Sequence, residues 1–443
     1  LATITLVETD ACKLLEMRRA LAAIEPEPVA GVTLEVTGPP EEELIEPAAA
    51  EAAARARAAV LAKSEGWEEQ INSAYPTRLT VDMEGHVYRY GAVTRTASVP
   101  ERCIALDPGL VQEANNALAA ACDAAEQWRL GQYLLKLLFP ADLRNELSTA
   151  HPLVVTCDSS AARVPWEMIA QPGAGTPAGA FLGIHRGLTR QLRTPFAPPP
   201  EPFPAASRVL RVLIVADGAC DARLPGAARE GELVRELFSR FREQELAKPA
   251  PARRAAEVEI CALIGPEQAT RTRVMQELLL REYDILHYAG HCAYDAEHPT
   301  ESGWVFSGST RLTANELSRV DRVPAFVFAN ACESGVTPDR AGSRSPGMAP
   351  SFAESFFARG VRDFICTGWP VNDDAALEFA RTFYTCLLGL DGRAPQPAHA
   401  AMREARARIF NLANGIASWG AYQHYGNPYT RVVAAAGASA ADR

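Results

Sequence analysis

Two segments that read as strands end on side chains capable of nucleophilic catalysis. The segment ILHYAGHC closes on His291 and Cys292, and the segment AFVFANACESG carries Cys332, 41 residues after His291. In an open α/β sheet, ligands bind at the carboxyl ends of the strands, so we expect both residues to face one cleft. A thiol beside an imidazole can act as a nucleophile with a general base. The pair therefore predicts acyl chemistry, with Cys332 attacking and His291 accepting its proton.

Backbone N–H groups beside the same two residues are candidates for stabilising an oxyanion. Residues 333–335 are Glu-Ser-Gly, which favours a sharp turn directly after the strand. The N–H of Cys332 is one candidate donor, and Gly290 or Cys292 could supply the other. A single Cys or His at a strand end is more often structural than catalytic. The combination of the two, with small residues on either side, is what favours an active site.

The composition bounds the class of protein. With 443 residues the chain can form about two or three domains, and its net charge of −10 argues against nucleic-acid binding by electrostatics over the whole chain. No apolar run approaches the roughly 18 residues of a membrane span. The ten cysteines are scattered without CxxC pairs, which favours reduced thiols and a cytoplasmic protein. We predict no metal and no cofactor, because the ligands of an HxxxHC pattern on a strand do not converge.

The order of predicted elements indicates a mostly parallel sheet. From residue 209 onward, buried strands alternate with helices of 10–18 residues, as expected for strands joined by crossover helices. The proline-rich segment 194–207 predicts a linker between two subdomains. We expect an N-terminal α+β region over 1–125, the N-terminal part of the catalytic module over 126–200 and the catalytic core over 201–435. A hairpin around Glu84-Gly85 and a long helix from about 108 to 138 are also predicted.

A set of motifs in fixed order resembles the CHAT family of caspase-like cysteine proteases. The resemblance covers roughly residues 130–430 and rests on LLFPADLRNEL, RVPWEMI, LPGAAREGELV, DILHYAGHC, RLTANELS, FVFANACESG, SFAESFFARGVRDFICTGWPVNDD, EFARTFY, AMREAR and YGNP. It implies a caspase–hemoglobinase α/β sheet with helices on both faces, His291 as catalytic base and Cys332 as nucleophile. The separation of 41 residues is near the roughly 50 residues of caspases. Cys292 departs from the family, which usually has Gly after the catalytic His, so we expect a narrower cleft there.

The pocket for the substrate side chain before the cleaved bond, S1, has a candidate acid. Separases, related to this family, place an acid shortly after a Trp-x-Val strand to hold a basic side chain. Here Trp369 opens the segment WPVNDD, which offers Asp373 at the comparable place and Asp374 beside it. The alternative is that Asp373 only begins the next helix, as an N-cap or first-turn acid. Both interpretations stay open at this stage.

The resemblance also implies control by other parts of the protein. CHAT domains generally sit behind sensor or repeat regions in bacterial defence and conflict systems, and a chain that starts at Leu1 suggests a piece of a longer protein. We expect a protein substrate and an upstream sensor or activating partner, which could read a nucleotide second messenger or nucleic acid in antiviral defence. The loop 336–350, rich in Gly, Ser and Pro, is the expected mobile element. The alternative functions are a catalytically silent interaction scaffold and a Cys-dependent acyl transferase.

Overall fold

A computed structural model describes most of the chain in two compact units, Leu1–Ala74 and Tyr75–Arg443. The described residues are 76–93, 98–147, 152–172, 180–193, 209–293, 301–317, 319–332 and 361–433, together with the backbone of two strands in the first unit. These are β1 (Ala2–Val7) and β2 (Val32–Thr37), which pair in parallel with Ala2 opposite Val32. The predicted linker 194–207 and the loop 336–350 lie outside the described residues.

The second unit contains thirteen described strands and nine described α-helices. Its strands are β3 (Thr77–Glu84), β4 (Val87–Val93), β5 (Ser98–Ala105), β6 (Leu153–Cys157), β7 (Thr189–Leu192), β8 (Val209–Ala216), β9 (Glu257–Ile264), β10 (Ile285–Ala293), β11 (Gly303–Phe306), β12 (Thr310–Thr313), β13 (Phe326–Cys332), β14 (Asp363–Thr367) and β15 (Tyr422–Tyr425). Its helices are α1 (Pro108–Ala120), α2 (Ala124–Leu138), α3 (Ala141–Glu146), α4 (Leu182–His185), α5 (Pro225–Leu246), α6 (Arg271–Leu280), α7 (Ala314–Leu317), α8 (Asp373–Leu388) and α9 (Ala398–Phe410).

The described strands of this unit form one mixed sheet. Its order is β9-β8-β10-β13-β14-β15-β7-β6-β3-β4-β5, and β11 and β12 extend from the end of β10. Strands β9, β8, β10, β13 and β14 are all parallel. Strand β15 is antiparallel to β14, and β4 lies antiparallel to both β3 and β5. The carboxyl ends of β8, β10, β13 and β14 therefore meet at one edge, as the α/β prediction requires.

Apolar side chains cover both faces of the central strands, which explains their nearly continuous hydrophobic sequences. In β8, successive side chains point to opposite faces of the sheet. One face packs with helices α5, α8 and α9, and the other with α6 and the β11–β12 hairpin. The first cluster includes Val212, Ile214, Val234, Phe238 and Phe383, and the second includes Leu213, Val215, Val274, Leu278 and Trp304. The predicted α/β class with helices on both faces is confirmed.

Of the two elements predicted in the N-terminal part, the structure contains the hairpin over 78–93 but not the single helix over 108–138. The hairpin is confirmed, since β3 and β4 pair antiparallel around Gly85, whose φ of 63° suits a residue without a side chain. The single helix over 108–138 is wrong. The chain leaves helical geometry at Ala121, and the side chain of Asp123 accepts the N–H of Glu126 to begin a second helix. The side chain of Asp123 thus satisfies an N–H group that has no partner within the first turn of the second helix, so a new helix can begin there.

Candidate active site

His291 and Cys332 occupy paired positions on neighbouring parallel strands. In the register of β10 and β13, His291 lies opposite Cys332, one pair after Gly290 and Ala331. Neighbouring strands run about 4.8 Å apart, so the two Cα atoms are separated by roughly that distance. The side chain of Cys332 and residues 333–360 lie outside the described part of the chain. The backbone alone brings the two predicted catalytic positions together.

The imidazole of His291 is held by a loop of the same sheet edge. Its Nε2 lies 2.7 Å from the carbonyl oxygen of Ala222, and the residue is 7% exposed. A carbonyl can only accept a hydrogen bond, so Nε2 carries the hydrogen in this contact. In the neutral ring the lone pair then resides on Nδ1. This tautomer suits a general base that takes a proton through Nδ1.

Two of the candidate oxyanion donors, the N–H groups of Gly290 and Cys292, lie at the end of β10, and the third, that of Cys332, ends β13. Gly290 is closely packed, because a Cβ there would approach the hydroxyl of Tyr288 to 2.7 Å. That hydroxyl donates to the carbonyl of His291, at 2.7 Å, and so supports the strand end. Cys292 is 6% exposed and belongs to the hydrophobic cluster around Trp304, its partner in the antiparallel pair of β10 and β11. Its thiol packs on the face opposite His291, since neighbouring residues of a strand alternate.

The candidate S1 residues follow β14, the strand beside β13. Trp369 is buried, and its indole N–H donates to the carbonyl of Ala417 at 3.0 Å. Asn372 is the N-cap of α8, where its side-chain oxygen accepts from the N–H of Asp374 at 3.0 Å. Asp373 and Asp374 form the first turn of the helix and are exposed. The cap is therefore Asn372, and both acids are exposed at the carboxyl edge of the parallel strands.

These two acids differ in what they contact on α5. The carboxylate of Asp374 lies 3.7 Å from the guanidinium of Arg229, in a pair of exposed side chains that contributes little stability. The side chain of Asp373 lies over Gly226, where a Cβ would come within 2.2 Å of its carboxylate oxygen. The absence of a side chain at Gly226 thus makes room for Asp373. Of the two, Asp373 has the more closely shaped surroundings.

Several other cysteines are poor nucleophiles in this fold. Burial raises the pKa of the Cys157 thiol to about 12 and raises that of Cys366 further. Burial also raises the pKa of Cys261 and of Cys386. A thiol reacts as its thiolate, so a raised pKa makes these four residues weaker nucleophiles at neutral pH than an unperturbed cysteine. Their chemistry agrees with a structural role for cysteines placed inside apolar segments.

A buried polar cluster, which sequence reasoning did not assemble, lies beneath the paired strand ends. The Asn330 amide donates to a carboxylate oxygen of Glu230 at 2.7 Å. The other oxygen lies 3.2 Å from Nε2 of His287, although neither atom meets hydrogen-bond geometry with a described residue. Nδ1 of His287 contacts the hydroxyl of Tyr384 at 3.2 Å. Glu230 is thus hydrogen-bonded to Asn330 and lies next to His287 without a hydrogen bond to it. His287, expected in the core or behind the site, is fully buried.

A second His–Asp arrangement has the contacts of a catalytic triad but not its access. Nε2 of His424 lies 2.9 Å from Asp363, and its Nδ1 lies 3.1 Å from the hydroxyl of Thr189. All three residues are 0% exposed, and Asp363 begins β14 at the edge opposite to Cys332. The hydroxyl of Thr430 satisfies the second carboxylate oxygen at 2.7 Å. This cluster joins β7, β14 and β15 and cannot receive a substrate.

Two negative observations apply to the described residues alone. Within those ranges, no group of three or more His, Cys, Asp or Glu side chains could hold a metal ion. None of the described helices combines the length and apolar character needed to cross a bilayer.

The CHAT domain model matches residues 129–427, about two thirds of the 443 residues. The chain therefore belongs to the CHAT family, as its ordered motifs predicted. This membership agrees with the coarse expectation of a protein of the caspase-like cysteine protease class. No curated protein is significantly similar to the chain.

Several solved structures resemble the fold at low identity. The separase of a Saccharomyces cerevisiae separase–securin complex is 12% identical with a TM-score of 0.35, and the match covers 62% of this chain and 15% of that one. The Arg-specific cysteine proteinase gingipain R is 10% identical with a TM-score of 0.39, covering 72% and 74%. The complex of the Porphyromonas gingivalis RgpB pro- and mature domains is 11% identical with a TM-score of 0.37, and the match covers 73% of this chain and 78% of that one. The chain thus spans a small part of the separase and about three quarters of the gingipains.

Proposed function

We propose that this protein is a cysteine endopeptidase that cleaves specific protein partners through His291 and Cys332. The observation that carries the proposal is the pairing of these two residues across β10 and β13 at the carboxyl edge of the sheet. The contact of His291 Nε2 with the Ala222 carbonyl supports it, because that contact leaves Nδ1 as the basic nitrogen. Membership of the CHAT family supports the same class of reaction.

The proposed reaction has two stages. Nδ1 of His291 takes the proton of the Cys332 thiol, and the thiolate attacks the carbonyl carbon of the scissile peptide bond. The tetrahedral oxyanion accepts hydrogen bonds from the backbone N–H groups of Cys332 and of Gly290 or Cys292. As the C–N bond breaks, the imidazolium returns its proton to the leaving amine. Water, deprotonated by His291, then attacks the thioester and releases the carboxyl product and free Cys332.

We assign the S1 pocket to the segment after β14. Asp373 is exposed at the catalytic edge and fits over Gly226, while buried Trp369 fixes the start of the segment. A carboxylate in such a pocket favours a basic side chain, so cleavage after Arg or Lys is expected. Asp374 has a weaker claim because it lies near Arg229. A preference for apolar or acidic side chains in a peptide library would return Asp373 to the role of a first-turn acid.

The proposal includes activation from outside the catalytic sheet. An upstream sensor or bound partner, responding to a nucleotide second messenger or nucleic acid in bacterial antiviral defence, would favour the active form of segment 336–350 directly after the nucleophile. The proposed site of action is the cytoplasm. Comparing peptide cleavage by this protein with and without the products of neighbouring genes, nucleotide second messengers or nucleic acid tests this part. Equal activity in all of these conditions would show a constitutive enzyme.

The decisive experiment is incubation with candidate proteins encoded beside the gene. Wild type is compared with Cys332→Ala, and with Cys103→Ala as a matched control that removes an exposed thiol on β5. Cleavage by wild type and Cys103→Ala but not by Cys332→Ala supports the proposal. Cleavage by well-folded Cys332→Ala rejects it. Partner binding without cleavage indicates a scaffold, and acyl-enzyme turnover on small molecules alone indicates an acyl transferase.

A further inference from the structure

The loop between β8 and α5, residues 217–224, connects a buried carboxylate to the catalytic imidazole. We propose that Asp217 is a positioning residue that fixes this loop so that the Ala222 carbonyl holds His291 in the tautomer with hydrogen on Nε2. This inference rests on the proposed function, because it assigns the support of that same base. Asp217 itself does not touch the reacting atoms, and its influence passes through the backbone of the loop.

Asp217 binds the chain immediately after Ala222. One of its carboxylate oxygens accepts the backbone N–H of Leu224 at 2.7 Å, and the other accepts from Nε of Arg223, also at 2.7 Å. The Asp217 side chain is fully buried, whereas that of Arg223 is about half exposed. Both donors therefore converge on one buried group, and together they restrain the peptide whose carbonyl faces His291.

The backbone of Asp217 shows the same constraint. Its φ of 52° lies in the left-handed region, which residues with a side chain rarely adopt, although Asp and Asn tolerate it best. The N–H of Asp217 donates to the carbonyl of Ala289 at 3.0 Å, two residues before His291 on β10. Such a conformation persists only where the surroundings determine it. Asp217 thus links the start of the loop directly to the strand that carries the base.

A second anchor holds the other side of Ala222. The hydroxyl of Ser307 accepts the N–H of Cys220 at 3.0 Å and donates to the carbonyl of Gly218 at 3.1 Å. Gly218 fits closely there, since a Cβ would come within 2.6 Å of the carbonyl of Ala269. Ala222 therefore lies between two fastened points of the loop. This arrangement is what a fixed hydrogen-bond acceptor for an imidazole requires.

The test is Asp217→Asn, which keeps the size of the side chain and its tolerance of a positive φ. The amide replaces one acceptor oxygen with a donor, so the bond to Arg223 or to Leu224 is lost. Ring ¹⁵N chemical shifts of ¹⁵N-histidine-labelled protein report the tautomer, and loss of a signal in His291→Ala assigns it among the eight histidines. We expect the Nε2–H population of His291 to fall in Asp217→Asn, and kcat to fall about tenfold to a hundredfold with little change in KM.

A buried acid far from the site provides the control. Asp284 is 8% exposed and accepts the N–H of Arg211 at 2.9 Å, near the amino end of β8. Asp284→Asn is expected to leave the tautomer and kcat unchanged. If Asp217→Asn folds poorly, Ser307→Ala loosens the other anchor and must shift the same ¹⁵N signals.

The outcomes separate this inference from the proposed function. Unchanged tautomer and kcat in a folded Asp217→Asn variant would overturn the positioning role. Equal changes in Asp284→Asn would also overturn it, because the effect would then be general destabilisation. If no form of the protein cleaves peptides, the proposed function fails, yet the ¹⁵N signals and the rate of Cys332 alkylation by iodoacetamide still decide whether Asp217 sets the state of His291.

Discussion

Replacing Glu230 with Gln perturbs the contact between α5 and β13, the strand that ends at Cys332. Glu230 is 2% exposed and accepts a hydrogen bond from Asn330, two residues before Cys332. A Gln side chain that turns its NH₂ group toward Asn330 sets two donors against each other and loses this hydrogen bond, whereas one that keeps its oxygen on Asn330 replaces a charged acceptor by a neutral one. Either change weakens a buried hydrogen bond to a charged group, which lowers the free energy of unfolding by up to about 2 kcal/mol.

The same helix supplies a control of equal burial. Glu245 is also 2% exposed and is held by Nε of Arg254 at 2.8 Å and by Nζ of Lys248 at 2.7 Å. It lies about 22 Å further along the axis of α5, away from the catalytic edge. Glu245→Gln should lower the unfolding free energy by a similar amount, because it too weakens hydrogen bonds to a buried charge. Only Glu230→Gln should also disturb the end of β13.

The assay pairs urea unfolding with kinetics on a cleaved peptide. We expect both variants to lose about 2 kcal/mol of stability, and only Glu230→Gln to lose about tenfold or more in kcat, because small displacements of a reacting group are costly. Alkylation of Cys332 by iodoacetamide gives a second measure of the same site. The reasoning is refuted if Glu230→Gln is as stable as wild type. It is also refuted if both variants lose equal stability and keep full activity.

Three further predictions address the base and nucleophile, the specificity pocket and the response to acid. His291→Ala and Cys332→Ala should each lower kcat by about a thousandfold or more, and the double variant should lower it little further, because the two residues act together. If the losses of the two single variants add up in the double variant in single-turnover assays, the residues do not act as one unit. Gly226→Ala should displace Asp373, because the added Cβ would come within 2.2 Å of its carboxylate oxygen and within 2.9 Å of its Cβ. The first turn of α8 must then shift as well, so some stability is lost, and the preference for Arg or Lys should weaken. An unchanged peptide-library profile argues against that pocket. Burial lowers the pKa of His399 from 6.5 to about 4, so on acidification the unfolded chain takes up a proton before the folded chain does. The free energy of unfolding therefore falls as the pH drops from about 6.5 to 4, by up to about 3 kcal/mol. His399→Gln should reduce this loss in urea unfolding at pH 7 and pH 5, and an equal loss in both proteins would refute it.

Much of the sheet was predictable from local patterns. The hydrophobic runs at β8, β10 and β13 predicted buried strands, and the intervening helices predicted that these strands are parallel. The ends of β10 and β13 then followed as neighbours in one cleft. The break in the helix predicted over 108–138 did have a local signal, because Asp123 stands three residues before Glu126 in the pattern of a helix start. The amphipathic spacing alone continues across such a break and so conceals it.

The candidate site was also predictable only in part. The positions of His291 and Cys332 could be found because each ends a recognisable strand, and the ordered motifs around them predicted the CHAT family. Whether Asp373 caps a helix or faces a pocket could not be decided locally. The structure gives the cap to Asn372 and places Asp373 over Gly226, a residue of another helix. That contact has no signature in the sequence around either residue.

The sequence by itself determined the strand ends, their chemistry and the family, because hydrophobic periodicity and motif order are properties of short segments. Only the tertiary structure decided which groups support the two candidate catalytic positions. The Ala222 carbonyl meets His291 across 69 residues of chain, and Glu230 meets Asn330 across 100. Such contacts depend on how α5 and its preceding loop pack on the sheet, and a hydrogen bond between distant residues leaves no periodic pattern. The positions of the proposed base and nucleophile are thus encoded locally, whereas the support of the His291 imidazole is a property of the folded chain.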